Sequence, residues 1–230
     1  MRTFPAFIDV TGQPPLIFGG GDMAAIKARL IAKRAPQIEI ATPEPGDAVS
    51  RLADDGVVAI VDAEPTISTL RGRPFVIAAT DDDNLNAEIS AIAKSLGVPV
   101  NVPDRPTLCS FFLPAIVDRS EVTIAISTDG HAPVLAQRLR AWLENELNPK
   151  LGELARIAGQ FRDRVARTVP DAASRRRLWE TVFNGNVAGA VYAGHESIAR
   201  KLISNAIDGA TSAALPPARV ILVGAGPGDP

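Results

Sequence analysis

Short, nearly continuous apolar runs alternate with amphipathic stretches along the N-terminal part of the chain. Two of the intervening segments, 22–34 and 83–97, carry apolar residues at the i, i+3, i+4 spacing of a helix. Apolar strands separated by helices are typical of a parallel sheet that is covered on both faces. The pattern therefore predicts a Rossmann-like parallel sheet, with strands within residues 16–20, 37–43, 57–61, 75–80 and 98–102.

The alternation stops after Val102. Two β-prone segments, 111–117 and 121–127, are separated by a polar turn and predict a hairpin. Residues 128–148 predict a loop and then a helix that begins near Pro133. A hairpin with one helix buries too little apolar surface to be stable alone, so we expect this segment to act as a dimerisation arm.

The remaining pattern is helical and ends in an Ala/Pro-rich stretch followed by VILVGAGPGDP, which predicts a short strand and a glycine-rich loop. The predicted fold class is α/β, with a small α+β arm and an all-helical C-terminal region. We place the Rossmann-like domain at 1–113, the arm at 114–148, the helical domain at 149–211, and a linker with a truncated first strand at 212–230.

A glycine-rich loop, GGGDMA, joins the first predicted strand to the first predicted helix. It matches the dinucleotide-binding pattern G-x-G-x-x-A. Gly19 permits the tight turn, Gly21 lets a pyrophosphate approach the main chain, and the small Ala24 lets the helix pack closely on the sheet. We therefore expect the amides at the helix start, including those of Asp22 and Met23, to bind the phosphates of NAD or NADP.

Two more strand ends should border the same ligand, since ligands of doubly wound sheets lie outside the carboxyl ends of the strands. The acidic residue expected at the end of the second strand is absent, so Pro43 and Glu44, or main-chain groups there, would hold the ribose. The fourth strand ends in AATDDDN, where Thr80 and Asp81 are expected on the nicotinamide side, and one of the next two aspartates is expected to cap a helix. No arginine follows the second strand to accept a 2′-phosphate, but the choice between NAD and NADP stays open.

Composition narrows the possible partners. The formal net charge of −2 argues against a general nucleic-acid binder. The single cysteine, Cys109, excludes an internal disulfide framework and a Cys-cluster zinc site, and the two histidines lie far apart, so we expect no structural metal. The sequence has neither a signal peptide nor an apolar run long enough for a membrane helix, and it predicts a cytoplasmic protein with no membrane partner.

Five motifs follow one another along the chain: GGGDMA, AATDDDN, NVPDRP, SFFLPAIVDRS and HAPVLAQRLR. In this order they resemble the N-terminal half of sirohaem synthase, the precorrin-2 dehydrogenase and sirohydrochlorin ferrochelatase module, over essentially residues 1–215. The terminal VILVGAGPGDP resembles the opening of the uroporphyrinogen-III methyltransferase domain that follows this module in the trifunctional enzyme. We therefore expect its glycines to mark a domain boundary on a disordered or loosely attached tail.

The resemblance implies a two-step activity in a homodimer, with the active site between the nucleotide domain and the dimer arm. NAD⁺ oxidises precorrin-2 to sirohydrochlorin, and ferrous iron, as a substrate rather than a structural metal, is then inserted to give sirohaem. The key acid of the family corresponds here to Asp104 in NVPD, after the fifth predicted strand. Removing a hydride and a proton from a macrocycle requires a base near the nicotinamide, which agrees with a carboxylate at a strand end.

The carboxylate-rich tetrapyrrole should be bordered by cations. Arg105, Arg119 and Arg138 are candidates because they lie in or near the family motifs, and guanidinium groups pair with carboxylates in two-point contacts. His131 is expected to be exposed to solvent or to lie at the edge of the substrate, with a role in handling metal or acting as an acid as the alternative. His195 is expected at a helix N-terminus.

Two other functions remain open from the sequence. A non-catalytic NAD(H)-sensing dimeric module would also explain the glycine-rich loop and the missing ribose acid, and cofactor binding without turnover would distinguish it. The chain could also retain only one of the two activities, since the sequence does not separate dehydrogenase from chelatase competence.

Overall fold

The computed structural model describes residues 3–212, which fall into two compact units that divide between Pro114 and Ala115. The strand and glycine-rich loop predicted near the C-terminus lie outside the described residues.

The first unit is built on a five-stranded parallel sheet in the order β3-β2-β1-β4-β5. Leu16 in β1 pairs with Glu39 in β2 on one side and with Val76 in β4 on the other. The chain therefore reverses its direction of winding between β1 and β4, which is where doubly wound sheets bind ligands. The strands are β1 (Leu16–Phe18), β2 (Glu39–Ala41), β3 (Ala59–Val61), β4 (Val76–Ala78) and β5 (Val100–Asn101).

Helices cover both faces of this sheet because successive strand residues point to opposite sides. Ile17 packs into one buried cluster, whereas Leu16 and Phe18 pack into the other. Small buried residues such as Ala24 and Ala28 let the first helix lie close to the sheet. The connections are α1 (Asp22–Ile31), α2 (Asp47–Asp54), α3 (Ile67–Leu70), α4 (Asp83–Ser95) and a 3₁₀ turn (Pro106–Leu108).

The predicted sheet is confirmed, with shorter strands than the apolar runs indicate. Helices α2 and α3 were not predicted individually because they are short, although Val49 and Leu52 of α2 are buried in the core. The predicted strand at 111–117 begins later, at Ala115, because Phe111 packs its ring against Phe75, with the centroids 5.3 Å apart.

The second unit contains the predicted antiparallel hairpin and the predicted helices. The hairpin turns at Ser120, whose φ of 57° lies in the left-handed region. Its elements are β6 (Ala115–Arg119), β7 (Val122–Ile126), α5 (Pro133–Glu146), α6 (Leu151–Thr168), α7 (Ala172–Asn184), α8 (Asn186–Tyr192) and α9 (Glu196–Ser212).

Helices α6 to α9 share a core of their own, centred on residues such as Ile157, Val182 and Ile203. Asp171 caps α7 by accepting a hydrogen bond from the Ser174 amide. Hydrogen bonding with the side chain of Ser174, and then with its amide, lowers the pKa of the Asp171 carboxyl group. His195 lies at the start of α9, as predicted, where its carbonyl accepts hydrogen bonds from the first turn.

Helix α5 presents most of its apolar side chains outward. Only Ala136 is buried, whereas Val134 is 73% and Trp142 57% exposed. An exposed apolar face of this kind is typical of a surface that binds another protein.

Candidate nucleotide-binding site

Glycine is needed for a different structural reason at each of the three consecutive positions after β1. Gly19 has a φ of 124°, and a Cβ there would lie 2.2 Å from the Ala79 carbonyl oxygen. A Cβ on Gly20 would lie 2.3 Å from the Glu44 carbonyl oxygen. The first two glycines are therefore required by packing against neighbouring loops. The need at Gly20, a variable position of the fingerprint, was not predicted.

Gly21 differs because a Cβ there would meet nothing within 4 Å. It is the N-cap residue of α1, and no side chain caps this helix. The first amides of a helix have no partners within the helix and bind anions well. Open space directly in front of them fits a phosphate group that approaches the main chain.

A cleft of about 500 Å³ opens beside this turn, a size within the usual range for ligand sites. It is lined by the loops that follow β1, β2, β3 and β4. The lining residues with a predicted role are Gly19, Gly21, Pro43, Glu44, Thr80 and Asp81. Asp22 and Met23 are exposed at the start of α1, and Ala24 is buried beneath it, so these three lie beside the cleft rather than in its lining.

The cleft is acidic. Glu44, Asp62, Glu64 and Asp81 line it, and no lysine or arginine does so among the described residues. Asp62 and Glu64 were missed by the sequence reasoning. They follow β3 directly, so the rule that ligands lie at the carboxyl ends of strands could have identified them.

The loop after β4 is fixed by a buried amide. The Asn86 Oδ1 accepts hydrogen bonds from the Thr80 amide at 3.2 Å and from the Thr80 hydroxyl at 2.9 Å. Its Nδ2 donates to the Thr80 carbonyl at 2.9 Å. Asp82 caps α4, as predicted for one of the two aspartates, by accepting from the amides of Asn84 and Leu85. Asn86 was not predicted as part of the site.

Asp104 lies in a turn after β5, where the Arg105 amide donates to the Val102 carbonyl at 3.2 Å. Its φ of 59° is in the left-handed region, which non-glycine residues seldom adopt. The side chain is exposed, and its carboxylate has no hydrogen bond or ion pair within residues 3–212. Backbone outliers of this kind cluster at functional sites.

The Cys109 thiol makes hydrogen bonds to the main chain of this turn. Its Sγ lies 3.2 Å from both the amide and the carbonyl oxygen of Val102, and 3.4 Å from the Arg105 carbonyl oxygen. On the α4 side, the Ser90 hydroxyl donates to the Leu108 carbonyl at 2.6 Å. The loop that carries Asp104 is therefore held at several points, while the carboxylate itself is left free.

Arg105 makes a two-point ion pair with Asp83, at the first turn of α4. This contact brings the loop after β5 against the loop after β4, which lines the cleft. Asp104 itself is not among the residues that line the cleft. Arg105 as a substrate contact stays a prediction, since its charge is already partly paired.

The other predicted substrate residues lie in the second unit. The Arg119 guanidinium donates to the carbonyls of Asp118 at 3.0 Å and Glu144 at 2.7 Å, which joins the hairpin to α5. Arg138 is exposed on α5, and His131 is exposed in the preceding turn. Their substrate roles stay predictions, and the contacts of Arg119 give it a structural role in addition.

Neither a metal cluster nor a membrane span is found in the part of the chain that the structure describes. No group of three or more His, Cys, Asp or Glu side chains there is placed to hold a metal ion. No helix within the described residues is long and apolar enough to cross a membrane.

The fold and the cleft define a dinucleotide-binding α/β protein with an attached hairpin and helical unit. Comparison with known families agrees: residues 6–115 match a family described as putative NAD(P)-binding. Residues 150–207, which include α6 to α8 and most of α9, match the sirohaem synthase dimerisation region. The arm predicted at 114–148 lies outside this match, and its role in dimerisation stays a prediction.

The chain is similar over its whole length to curated proteins named siroheme synthase. It is 44% identical over 231 residues to a protein named siroheme synthase from Ectopseudomonas mendocina strain ymp. It is 43% identical over 230 residues to another of that name from Pseudomonas putida strain W619. Both alignments cover the whole of this chain, which spans 49% of the length of these relatives.

A solved structure described as "SirC, precorrin-2 dehydrogenase" shares the fold, with a TM-score of 0.64 and 17% sequence identity, over 90% of this chain and all of that one. The methyltransferase interpretation of residues 212–230 finds no support here. The matched family regions end at residue 207, and those residues lie almost wholly outside the described part of the chain.

Proposed function

We propose that this chain oxidises precorrin-2 to sirohydrochlorin with NAD⁺ as the hydride acceptor. The observation that carries the proposal is the pairing of an open, uncapped phosphate site at Gly21 with a free carboxylate at Asp104, in a chain similar along its whole length to sirohaem synthases. The first feature suits cofactor binding, and the second suits proton transfer.

The residues of the cleft fit a nicotinamide dinucleotide. The amides at the start of α1 would bind the pyrophosphate, and the loop that contains Pro43 and Glu44 would hold the adenosine ribose. Thr80 and Asp81 would border the nicotinamide. The bound NAD⁺ supplies a hydride acceptor, and the chain supplies orientation and the base.

Asp104 is the proposed base that takes the proton removed from precorrin-2. Oxidation of precorrin-2 removes a hydride and a proton, and the Asp104 carboxylate would accept the proton and release it to water. Its exposed position, free of internal partners, allows both the approach of a large macrocycle and the return of the proton to solvent.

The acid-lined cleft supports NAD rather than NADP. A 2′-phosphate would lie near Glu44 and Asp62, with no cation in the described lining to pair with it. Repulsion between the 2′-phosphate and these carboxylates would disfavour NADP.

The proposal also includes iron insertion and a homodimer. Ferrous iron would enter sirohydrochlorin as a substrate. Two pyrrole N–H protons leave as it enters, and Asp104 would accept them one at a time and release each to water. The exposed apolar residues of α5, together with the match to a dimerisation region, support pairing of two copies.

Anaerobic incubation of the purified chain with precorrin-2 and NAD⁺ tests the proposal. We expect one equivalent of NADH, read at its near-ultraviolet absorbance, for each sirohydrochlorin formed. Addition of ferrous iron to supplied sirohydrochlorin tests the second step separately. Binding of NAD⁺ without formation of NADH would contradict the proposal and favour a nucleotide-sensing module instead.

A further inference from the structure

Asn86 is one of the few buried polar residues of the first unit, with only 5% of its surface exposed. It lies in the first turns of α4, facing the sheet, and does not line the cleft. A buried amide is costly unless its donors and acceptors are paired, and here both ends of the amide are bound by one residue, Thr80.

The three contacts to Thr80 fix the main chain on both sides of this residue. Oδ1 accepts from the Thr80 amide, and Nδ2 donates to the Thr80 carbonyl, so the main chain is held on both sides of the Thr80 Cα. The Thr80 hydroxyl, which also donates to Oδ1, accepts from the Asp82 amide at 3.3 Å and thereby orders the next turn.

The main chain at Thr80 is part of the wall of the cleft. Thr80 lines the cleft directly, and the amide nitrogen of Thr80 would lie 3.2 Å from a Cβ built on Gly19. The main chain held by Asn86 thus packs on Gly19, the first glycine of the turn after β1. A shift of Thr80 would move the side of the cleft where the nicotinamide is proposed to bind. It would also loosen the packing of the Gly19 turn.

We infer that Asn86 is a positioning residue for cofactor affinity, acting through Thr80 and the Gly19 turn without touching the ligand. The inference rests on the proposed function only in that the cleft binds a nicotinamide dinucleotide. A side chain with one acceptor and one donor at its end is required, since the Thr80 amide and carbonyl need opposite partners.

Ser90 provides a matched control on the same helix. It lies four residues further along α4, hence on the same face, and is 1% exposed. Its hydroxyl also donates to a main-chain carbonyl, but to that of Leu108 in the 3₁₀ turn after β5, which does not line the cleft. Replacing Ser90 by alanine removes a buried hydrogen bond of the same kind without freeing Thr80.

The first experiment measures NADH dissociation constants by cofactor fluorescence for the full chain and the variants Asn86→Ala and Ser90→Ala, alongside their thermal unfolding. We expect Asn86→Ala to raise the dissociation constant about tenfold and Ser90→Ala to leave it within about twofold, although both lower the melting temperature. Equal NADH affinity in wild type and Asn86→Ala would overturn the inference, as would an equal loss in both variants.

The variant Asn86→Asp separates positioning from simple loss of packing. An aspartate keeps the acceptor for the Thr80 amide but turns a second oxygen towards the Thr80 carbonyl, unless it is protonated. Burial raises the pKa of a carboxyl group, so lowering the pH should restore a donor and bring the NADH affinity back towards wild type. The cleft carries the same carboxylates, Glu44, Asp62, Glu64 and Asp81, in both proteins, so the ratio of variant to wild-type dissociation constant is compared at each pH.

That ratio should fall as the pH is lowered for Asn86→Asp and stay flat for Asn86→Ala. A flat ratio for both variants would overturn the donor–acceptor role of Asn86. If the wild-type chain itself fails to bind NADH, the proposed function fails, and this outcome is distinct from failure of the Asn86 inference alone.

Discussion

Two loops at the same edge of the sheet have opposite designs. The loop after β1 is closed by packing, with Gly19 and Gly20 pressed against neighbouring carbonyls, and its useful feature is the open space at Gly21. The main chain of the loop after β5 is hydrogen-bonded by the Cys109 thiol. Asp104 in this loop has a left-handed backbone conformation, and its carboxylate has no partner among the described residues. Under the proposed function this difference corresponds to two roles: the loop after β1, called the binding loop, would hold the cofactor, and the loop after β5, called the reacting loop, would take the proton.

The largest effect is expected at the reacting loop. Asp104→Asn should lower kcat for precorrin-2 oxidation about a thousandfold, because it removes the base while keeping the size and a side chain that tolerates positive φ. NADH affinity, measured by fluorescence titration, should stay at the wild-type value. Activity near that of wild type would show that another group takes the proton.

At the binding loop, Gly21→Ala should raise the NAD⁺ dissociation constant at least about tenfold, because the new Cβ occupies the space in front of the α1 amides. Calorimetric titration measures it. Gly12→Ala is the matched control, since a Cβ there also meets nothing within 4 Å, and its affinity should be unchanged. An unaltered affinity in Gly21→Ala would mean that the pyrophosphate lies elsewhere.

Substitutions at Cys109 test whether its hydrogen bonds to the Asp104 turn contribute to kcat. Cys109→Ala should lower kcat about fivefold with unchanged NAD⁺ affinity, since the thiol no longer bonds the main chain of the Asp104 turn. Cys109→Ser keeps a donor and an acceptor and should recover part of the loss in steady-state assays. Equal kcat in the alanine variant and wild type would make the thiol irrelevant to the turn.

The smallest effect concerns cofactor choice. Glu44→Lys should narrow the preference for NAD⁺ over NADP⁺ about threefold, because it replaces one cleft carboxylate by a cation near the ribose. Competition between the two cofactors in a binding assay measures the ratio. A wild-type chain that already prefers NADP⁺ would contradict the electrostatic reading of the cleft.

The binding loop could be predicted because its requirements are local in sequence. The spacing of Gly19, Gly21 and Ala24 follows from one strand–turn–helix unit, and the structure places the cleft there. The need for glycine at Gly20 arises from Glu44, and the role of Asn86 arises from Thr80; both contacts depend on how separate segments pack.

The same distinction applies to the fold. Apolar periodicity predicted the sheet and the long helices, because burial of one face dominates such elements. It placed the start of β6 too early, because Phe111 is apolar for a different reason: its ring packs on Phe75 instead of extending the hairpin. Asp104 followed from resemblance rather than periodicity, since a free carboxylate in a turn leaves no apolar pattern.

The most direct test of these two roles is kcat for precorrin-2 oxidation at saturating NAD⁺, measured in Gly21→Ala and Asp104→Asn side by side. We predict that excess NAD⁺ restores Gly21→Ala to near the wild-type rate, whereas Asp104→Asn stays inactive at every NAD⁺ concentration. Loss of kcat in both variants that saturating NAD⁺ does not relieve would contradict the separation of binding from proton transfer.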